Sequence, residues 1–552
     1  MPIPTRAGHC QRPPAAGNLR TTAATGVVRN KRPAGGPRGL TARLSPITGQ
    51  RRGPGGFRRS PAPGGCSLPG RAGPRQQHRW CDPAQRPPQL AAIGRRLALR
   101  PLSPYNCRLI TTDFRQRLRC PLNDTIPLTD VDAPAAEHEE QLELASIHDF
   151  ATKLVQPGAR EALEHYVRWQ VAIRSAEDTE ATDLDPDKVP DFAPISINLD
   201  LTTACNYACD HCVDLDILNT GIRFDHDKLL ESLKVMAERG MKSVIVIGGG
   251  EPTLYPKFEE VIRFMKDLGL QIAIVSNGTG NEKIAKVADC MDKSDWVRLS
   301  LDSGTDATFQ PMHKPRKNFT LEGICARVPL IKDANPDVTV GFSYIVTWRG
   351  AEINDSEIVE NLHEIAQAAK LAKDNRFDYI SFKPFLTRDE VNNAEVIDIN
   401  SNSNLDDIVD RIQAQVDEAM TLADDSFRVH QSTGLKAMLQ RQTQTLAKQP
   451  QQCHMQFFRQ VLSPLGLYNC PVYRNQEHGR LGDKNANAGV ESYDATRGVT
   501  ADLVRNFNAT VTCEKVTCLY NDVNWWIERL IANPEELGKL SWDESAEADY
   551  FL

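Results

Sequence analysis

Between residues 195 and 382 of this 552-residue chain, stretches typical of β-strands alternate six times with stretches typical of helices. This alternation restricts the fold more than any other feature, because parallel strands joined by helical crossovers produce that order. The helical stretches have clear ends, such as Gly240 after 225–237 and Gly269 after 256–268. The predicted strands are 195–201, 244–247, 272–275, 297–301, 338–346 and 379–382.

Apolar and polar residues alternate along the first and fourth predicted strands, at 195–202 and 297–302. A strand covered by helices on both sides would be apolar throughout, so the polar face indicates a barrel interior that holds a ligand. A sheet with one face in solvent gives the same pattern and stays open as the alternative. We therefore predict an α/β fold: a partial (βα)6 TIM-like barrel with a helical segment before it and a small domain after it.

The first hundred residues contain 18 Arg and one Lys against a single acidic residue, with frequent Pro and Gly. Such a composition predicts disorder, because the chain cannot bury enough apolar surface to offset its ordering entropy. A basic tail for nucleic acid or membranes, a transit peptide and a gene-model extension stay open. The rest of the chain is net acidic, so it lacks the basic surface expected of a nucleic-acid-binding protein. The sequence contains no uninterrupted run of 18 apolar residues, so we predict no transmembrane helix.

These changes in pattern predict five regions. Residues 137–155 and 159–173 are predicted helices, separated by Pro157-Gly158. In chain order the regions are a disordered basic leader (1–120), a helical segment with an acidic linker (121–190), the barrel domain (191–390), a helical connection (391–450) and a C-terminal domain (451–552).

Three cysteines follow the first predicted strand with the spacing Cys205-x3-Cys209-x2-Cys212. Three thiolates within eight residues indicate a soft metal centre. A closed zinc site needs four ligands, and His211 could be the fourth only by competing with its neighbour Cys212. An iron–sulfur cube accepts three protein thiolates and leaves one iron open. A disulfide is disfavoured because the number of cysteines is odd.

This spacing, together with Gly248-Gly249-Gly250-Glu251 after the second predicted strand, resembles the radical S-adenosylmethionine (SAM) superfamily over about residues 190–390. The resemblance implies that Gly249, Gly250 and Glu251 meet the SAM amino group. Glycines let a backbone approach a ligand closely, and a carboxylate suits an ammonium group.

Further binding residues are implied by the same resemblance. His211 stands where family members place an aromatic residue beside adenine, which is a mild departure. Asn277, Ser300 and Asp302 follow the third and fourth strands, where family members contact the ribose and carboxylate of SAM. Asn-Gly is also a common turn pair and Ser-Leu-Asp can cap a strand end, so these structural interpretations stay open.

The chemistry implied by the resemblance is reductive cleavage of SAM at a [4Fe–4S] cluster bound by the three cysteines of the motif. The 5′-deoxyadenosyl radical formed would then abstract a hydrogen atom from the substrate. Arg298 and Lys383 are predicted to point into the barrel and are candidates for contacts with an anionic substrate group. A buried structural ion pair is the alternative for both. No other catalytic side chain is identified.

Four cysteines near the C-terminus, Cys453, Cys470, Cys513 and Cys518, resemble the ligands of SPASM or shorter Twitch auxiliary-cluster domains. Four thiolates suffice for one fully ligated second [4Fe–4S] cluster. The shorter type fits better, because the full seven-cysteine pattern is absent. A four-cysteine zinc site and unrelated buried thiols stay open.

Together these expectations describe a cytoplasmic radical SAM enzyme that oxidises or crosslinks a peptide or small-molecule substrate. Its partner would be a one-electron donor of the flavodoxin or ferredoxin type, with no nucleic-acid or membrane partner. A transferase or mutase without net oxidation is the enzymatic alternative. A non-enzymatic protein with structural zinc is the alternative from another class. The sequence does not identify the substrate, because barrel side chains define a shape only in three dimensions.

Overall fold

The structure is a computed structural model, and it describes residues 144–177, 188–353, 356–388, 395–397 and 404–552. The leader predicted at 1–120 lies outside the described residues. The strands are β1 Ser196–Leu199, β2 Ser243–Val246, β3 Gln271–Ser276, β4 Trp296–Ser300, β5 Thr339–Val346, β6 Glu352–Ile353, β7 Ser356–Glu357, β8 Tyr379–Pro384, β9 Thr387–Arg388, β10 Glu395–Val396, β11 Arg428–Gln431, β12 Arg459–Ser463, β13 Gly466–Tyr468 and β14 Arg480–Gly482.

Helices separate most of these strands and also precede and follow them. They are α1 Phe150–Leu154, α2 Pro157–Glu177, α3 His226–Glu238, α4 Phe258–Asp267, α5 Asn281–Val287, α6 Asp306–His313, α7 Leu321–Cys325, α8 Val328–Ala334, α9 Ile365–Asp374, α10 Leu405–Met420, α11 Thr433–Leu439, α12 Thr443–Ala447, α13 Met455–Phe458, α14 Val490–Asn506, α15 Ala509–Thr512 and α16 Asn521–Ala532. Among the described residues, no helix is both long enough and apolar enough to cross a membrane.

The main sheet has the strand order β11-β8-β5-β4-β3-β2-β1-β12-β13-β14. Every neighbouring pair from β11 to β12 is parallel, and β12, β13 and β14 pair antiparallel. The six predicted strands are therefore confirmed, and they lie side by side in chain order as in a TIM-like barrel. The sheet is open in the described residues, because β11 and β14 are its two edges.

Two parallel strands extend this sheet beyond the six that the sequence predicts. β11 pairs with β8, and β12 pairs with β1. Each is short and contains few apolar residues, so neither has the alternating pattern that predicts the other strands. The first predicted strand is in turn shorter than 195–201, because the chain leaves the sheet after Leu199 and turns into the cysteine loop.

The two faces of the parallel strands differ as the sequence predicts. Ile197, Val244, Ile272 and Val297 belong to a large buried core shared with helices such as α3 and α4. The opposite face carries polar residues on β1 and β4 together with a small apolar patch on β2 and β3. One side of the sheet is thus sealed by helices, and the other surrounds an interior.

Residues from both ends of the described chain close this interior. Residues 146–148 and Phe150, which lie just before and at the start of α1, line the cavity together with residues of β11 and β12. Near the amino ends of β2 and β3, the hydroxyl of Ser243 donates to the carbonyl of Tyr550 at 2.7 Å. Phe551 packs on the inner-face patch of β2 and β3. The barrel floor is therefore built from residues that are remote from it in the sequence.

A second core joins the first long helix to the last one. Leu163 and Tyr166 of α2 share this core with Phe458 and with Val523 and Ile527 of α16. Pro157 begins α2, where a missing backbone N–H is tolerated. The predicted break at Pro157-Gly158 is therefore misplaced, because both residues belong to the first turn of α2. Of the helix predicted over 137–155, the described residues form an α-helix only at α1. The predicted boundaries of the helical segment and the C-terminal domain stay predictions, but these two regions share one apolar core.

Candidate active site

The three-cysteine loop begins just beyond β1, at the carboxyl edge of the parallel strands. Cys205, Cys209 and Cys212 are free, half-buried thiols. Burial raises the pKa of each, and the charges of Cys212 and Cys205 raise the pKa of Cys209 further. Thiols that burial and neighbouring charges keep protonated suit a cation that would stabilise all three as thiolates. The donor set therefore fits an iron–sulfur cluster with one open iron.

His313, at the end of α6, contacts this loop and was not predicted from the sequence. Its Nε2 donates to the carbonyl of Leu301 at 2.9 Å, so Nδ1 carries the lone pair that lies 3.2 Å from Cys209 Sγ. Burial lowers the pKa of His313 to about 4, although the Asp302 carboxylate opposes this. Cys209, His211 and His313 also place one ligand atom each within 4.8 Å of the others. His313 belongs to no local motif, so only the fold could reveal it.

His211 and Asp302 form a buried pair inside the site. His211 Nε2 lies 3.2 Å from Asp302 Oδ2, and the backbone N–H of Ile345 donates to Oδ1 at 2.7 Å. Burial alone would raise the pKa of Asp302, but the hydrogen bond and charge of His211 lower it below its usual value. Asp302 has a φ of +46°, a conformation that costs energy outside glycine and clusters at functional sites.

Glu251 is buried and joins two loops at the carboxyl edge. Its Oε1 accepts from the N–H of Thr253 at 3.1 Å, from the hydroxyl of Thr253 at 2.6 Å and from Ser276 at 2.8 Å. Its Oε2 accepts from the N–H of Asn277 at 2.7 Å. Burial raises the pKa of Glu251, while these bonds oppose the rise. The carboxylate therefore positions the loop after β3, and its predicted contact with SAM stays a prediction.

The glycines before Glu251 are required by contacts within the protein. A Cβ on Gly250 would lie 2.2 Å from the carbonyl oxygen of Ala204, and one on Gly248 would lie 2.7 Å from Arg474 Nη1. Gly249 has a φ of +73°, which favours glycine. From the sequence, these glycines are expected to allow the approach of a ligand. In the structure they allow the glycine segment to pack on the residues that lead into the cysteine loop.

Asn277 and Ser300 differ in how much of their hydrogen-bonding capacity is used. The amide of Asn277 donates to Asn206 at 2.8 Å and accepts from the hydroxyl of Thr279 at 2.7 Å. Ser300 is half-buried, and its side-chain hydroxyl has no hydrogen bond to a described residue. Asn277 thus anchors its own loop to the cysteine loop. Ser300 keeps its hydroxyl available at the end of β4.

Arg474 joins the C-terminal domain to the site and was not predicted from the sequence. Its Nη1 donates to Asp214 at 2.6 Å, and its Nε lies 3.2 Å from Asp200 Oδ2, all three side chains being buried. Asp214 also accepts from the backbone N–H of Gly249 at 3.2 Å. Burial raises the pKa of Asp200, and Arg474 opposes this. The loop after Cys470 is thereby attached to the glycine segment.

A cavity of about 490 Å³ fills the barrel interior next to His211. This volume suits a small organic ligand. Arg298 and Lys383 line it, as predicted, along with His148, Arg459 and Phe551. Neither Arg298 nor Lys383 forms an ion pair with a described residue, so the alternative of a structural ion pair is not supported in this part of the chain. Lys383 donates to the Ser343 hydroxyl at 3.2 Å.

The four C-terminal cysteines converge in the structure, although the first and the last are 65 residues apart in the chain. Cys453 precedes α13, Cys470 follows β13, Cys513 follows α15 and Cys518 precedes α16. Burial and the charges of the other three raise the pKa of Cys518 well above its usual value. None of the four forms a disulfide with a described residue, and all are half-buried. Each thiol thus lies in electrostatic range of the others, as a shared metal would require.

Comparison with known proteins agrees with the site. Residues 199–382 match the family model described as the Radical SAM superfamily. A nucleotide dehydratase dependent on S-adenosylmethionine, from a Thermoplasmatales archaeon (strain ISO4-H5), is 32% identical over 114 residues, which cover 20% of this chain and 39% of that protein. A protein of the same name from Selenomonas ruminantium is 24% identical over 229 residues, or 39% of this chain and 74% of that protein.

This chain thus matches well under half the length of the archaeal relative. Among solved structures, Streptococcus suis SuiB bound to precursor peptide SuiA matches with a TM-score of 0.41 and 14% identity, over 68% of this chain and 88% of that chain.

Proposed function

We propose that this chain, which carries a radical SAM domain over residues 199–382, is an enzyme that cleaves SAM reductively and removes a hydrogen atom from a substrate in the barrel cavity. The observation that carries the proposal is the group of three half-buried thiols in one loop at the carboxyl edge of β1, beside that cavity, where Cys205 and Cys212 both raise the pKa of Cys209. Barrel enzymes assemble their sites at this edge.

Cys205, Cys209 and Cys212 would hold a [4Fe–4S] cluster, with SAM on its open iron. When bound, the cluster and SAM supply one-electron cleavage of the sulfonium and a 5′-deoxyadenosyl radical. The protein supplies position and shielding. Glu251 fixes the loop of Asn277, and Asp302 holds the His211 ring by a hydrogen bond. Closure of the barrel floor by residues near Phe551 limits the access of water to a reactive radical.

Binding roles for individual residues belong to this proposal. Gly249, Gly250 and Glu251 would bind the SAM amino group, and Asn277, Ser300 and Asp302 would contact its ribose and carboxylate, with His211 beside the adenine. The free hydroxyl of Ser300 supports its role best. Asn277 already uses both ends of its amide, so its contribution would come through its exposed edge or through the loop that it anchors.

A second [4Fe–4S] cluster would be bound by the four C-terminal cysteines of a SPASM- or Twitch-like domain at 451–552. Their convergence from separate elements supports this assignment. Such a cluster could accept the electron of the substrate radical, which makes net oxidation or crosslinking the leading reaction. A transferase or mutase would need no such acceptor and is the second candidate.

The substrate is a peptide or a small molecule. The relatives named nucleotide dehydratases favour a nucleotide-like small molecule, whereas SuiB binds a precursor peptide. A flavodoxin- or ferredoxin-type protein would deliver the electron, and we place the enzyme in the cytoplasm, where such donors occur. The family match favours an enzyme over a non-enzymatic zinc protein.

Replacement of each motif cysteine tests the proposal directly. Cys205→Ala, Cys209→Ala and Cys212→Ala should each abolish formation of 5′-deoxyadenosine from SAM and dithionite, because two thiolates cannot hold the cube with one open iron. Cys290→Ala is the matched control, since Cys290 lies in a short turn away from the motif and should keep full activity. Wild-type amounts of 5′-deoxyadenosine from a motif variant, or two tightly bound zinc ions in place of iron, would overturn the proposal.

A further inference from the structure

The barrel cavity carries positive charge without matching negative charge. Arg298, Lys383 and Arg459 line it, and none of them contacts a carboxylate of a described residue. The acids on the cavity wall are already paired: Asp295 with Lys266 at 2.7 Å, and Asp549 with Lys153 at 2.9 Å. The charge of Asp302 also acts on Arg298 and Lys383, but Asp302 is hydrogen-bonded to His211, so no carboxylate of a described residue is in direct contact with the three cations.

The partners that these cations do have are neutral. The guanidinium of Arg298 lies 5.2 Å from the centre of the Trp296 ring, and its buried Nε has no hydrogen-bond partner. Arg459 donates to Asn198 at 2.6 Å and to the hydroxyl of Tyr520, while its Nε is also unpartnered. Buried charge without a counter-charge costs stability, and proteins retain it where a ligand supplies the missing charge.

His148 shows that the cations converge. Burial and the charges of Lys383, Lys153, Arg298 and Arg459 together lower the pKa of its imidazole to about 3. Positive side chains from β4, β8, β12 and α1 therefore act on the same neutral ring. The hydroxyl of Ser381, on β8 beside Lys383, is buried and unpartnered as well.

We propose that this cavity binds the phosphate group of a small-molecule substrate, held by Arg298, Lys383 and Arg459. Burial and the charge of Arg298 lower the pKa of Lys383 well below its usual value, and an anionic group bound beside it would favour its protonated form. Two guanidinium groups and this amine exceed what one carboxylate neutralises, whereas a phosphate or diphosphate carries two or more negative charges and accepts bidentate bonds from arginine. The cavity volume of about 490 Å³ is enough for such a molecule. The inference rests on the proposed function, because it takes this cavity as the substrate site.

Titration calorimetry with inorganic pyrophosphate tests the inference on the full-length, iron-loaded protein at constant ionic strength. Lys383→Met and Arg298→Gln should each weaken pyrophosphate binding at least about tenfold, because each removes a charge-assisted hydrogen bond. Lys383→Arg should retain most of the affinity. Lys370→Met is the matched control, since exposed Lys370 pairs with Asp374 at 2.6 Å and should leave binding unchanged.

Malonate provides the comparison arm. It should bind more weakly than pyrophosphate, and equal affinity for malonate would overturn the phosphate assignment in favour of a dicarboxylate. Pyrophosphate that fails to bind the wild type, or binds Lys383→Met as well as the wild type, would also overturn it. Lys383→Met removes a charge rather than a contact needed for packing, so it should fold even if Arg298→Gln does not. If pyrophosphate fails to bind as expected but the wild type still cleaves SAM, only the phosphate assignment is refuted and the proposed function stands. If the wild type does not cleave SAM, the proposed function is refuted by that result alone.

Discussion

Arg474 Nη1 lies 2.6 Å from Asp214 Oδ2, and this buried ion pair connects the loop after Cys470 with the loop after Cys212. The two cysteine groups are therefore linked by one guanidinium, although Arg474 and Asp214 are 260 residues apart in the chain. Asp214 also accepts from Gly249, so the same contact reaches the glycine segment. A change in the C-terminal loop would be transmitted to the site through this pair.

Loss of this link should destabilise the protein strongly. Arg474→Met leaves the buried carboxylates of Asp200 and Asp214 without their cation, and we expect the free energy of unfolding to fall by about 3 kcal/mol. Urea unfolding of the iron-free protein measures this. Arg263→Met is the control, because Arg263 pairs with Asp289 on the surface and should cost less than about 1 kcal/mol. Equal effects of the two substitutions would show that the buried pair is not a structural link.

The close approach of Gly250 to the cysteine loop predicts a local defect on substitution. In Gly250→Ala the new Cβ would lie 2.2 Å from a backbone oxygen, so Ala204 and the adjacent Cys205 must move. We expect a loss of about 1–3 kcal/mol in stability and reduced iron at the first site. Gly498→Ala, in the middle of α14 with open space around it, should instead stabilise by about 0.5–1 kcal/mol. A Gly250→Ala protein with normal iron and stability would contradict this close packing of Gly250 on Ala204.

The proposed cluster at the C-terminal cysteines predicts a specific iron content per chain. Two [4Fe–4S] clusters give about 8 irons per chain, and Cys513→Ala with Cys518→Ala should reduce this to about 4. SAM cleavage without substrate should continue, because the cysteines of the first site are unchanged. Circular dichroism separates loss of the cluster from unfolding, since metal binding also contributes folding free energy. Unchanged iron in a folded double variant would remove the second cluster from the proposal.

The partly buried contact of Glu528 with His454 and Arg174 predicts a pH dependence of stability. Burial would raise the pKa of Glu528, but hydrogen bonds from His454 at 3.0 Å and Arg174 at 2.8 Å lower it to about 2. Because the folded pKa lies below the unfolded value, the stabilisation is complete above about pH 4.5 and is lost as the pH falls towards 2. Glu528→Gln should therefore cost about 2 kcal/mol at pH 7 and progressively less in acid. Thermal unfolding at pH 7, 5, 4 and 3 measures this, and a constant difference across that range would contradict it.

The parts of the site that the sequence predicts are those set by local order in the chain. Each of these polar residues follows the end of a predicted strand, and parallel strands bring their carboxyl ends to one edge of the sheet. Cys205, Glu251, Asn277 and Asp302 could therefore be assigned to a single site from the sequence. The inward direction of Arg298 and Lys383 follows in the same way from alternation along a strand.

The contacts that the sequence does not predict are long-range. Cys209 and His313 are 104 residues apart, and no local pattern distinguishes His313 from any other histidine at the end of a helix. The contacts that close the barrel interior are also long-range: the pairing of β12 with β1 and the packing of Phe551 in the barrel depend on the whole fold. The glycine segment lies where the sequence predicts it, but its contacts with Ala204 and Arg474 depend on residues that only the fold brings next to it.

The core shared by α2 and α16 has a consequence for biosynthesis. Roughly 350 residues separate these helices, so α2 leaves the ribosome long before its partner exists. At about 5–20 residues per second, that interval is about 20–70 s. During this time Leu163 and Tyr166 have no α16 to cover them, and the nascent chain presents an apolar surface that molecular chaperones recognise. We expect the barrel strands to assemble first and the enclosing segments to dock last, which makes late truncations of this protein prone to aggregation rather than merely inactive.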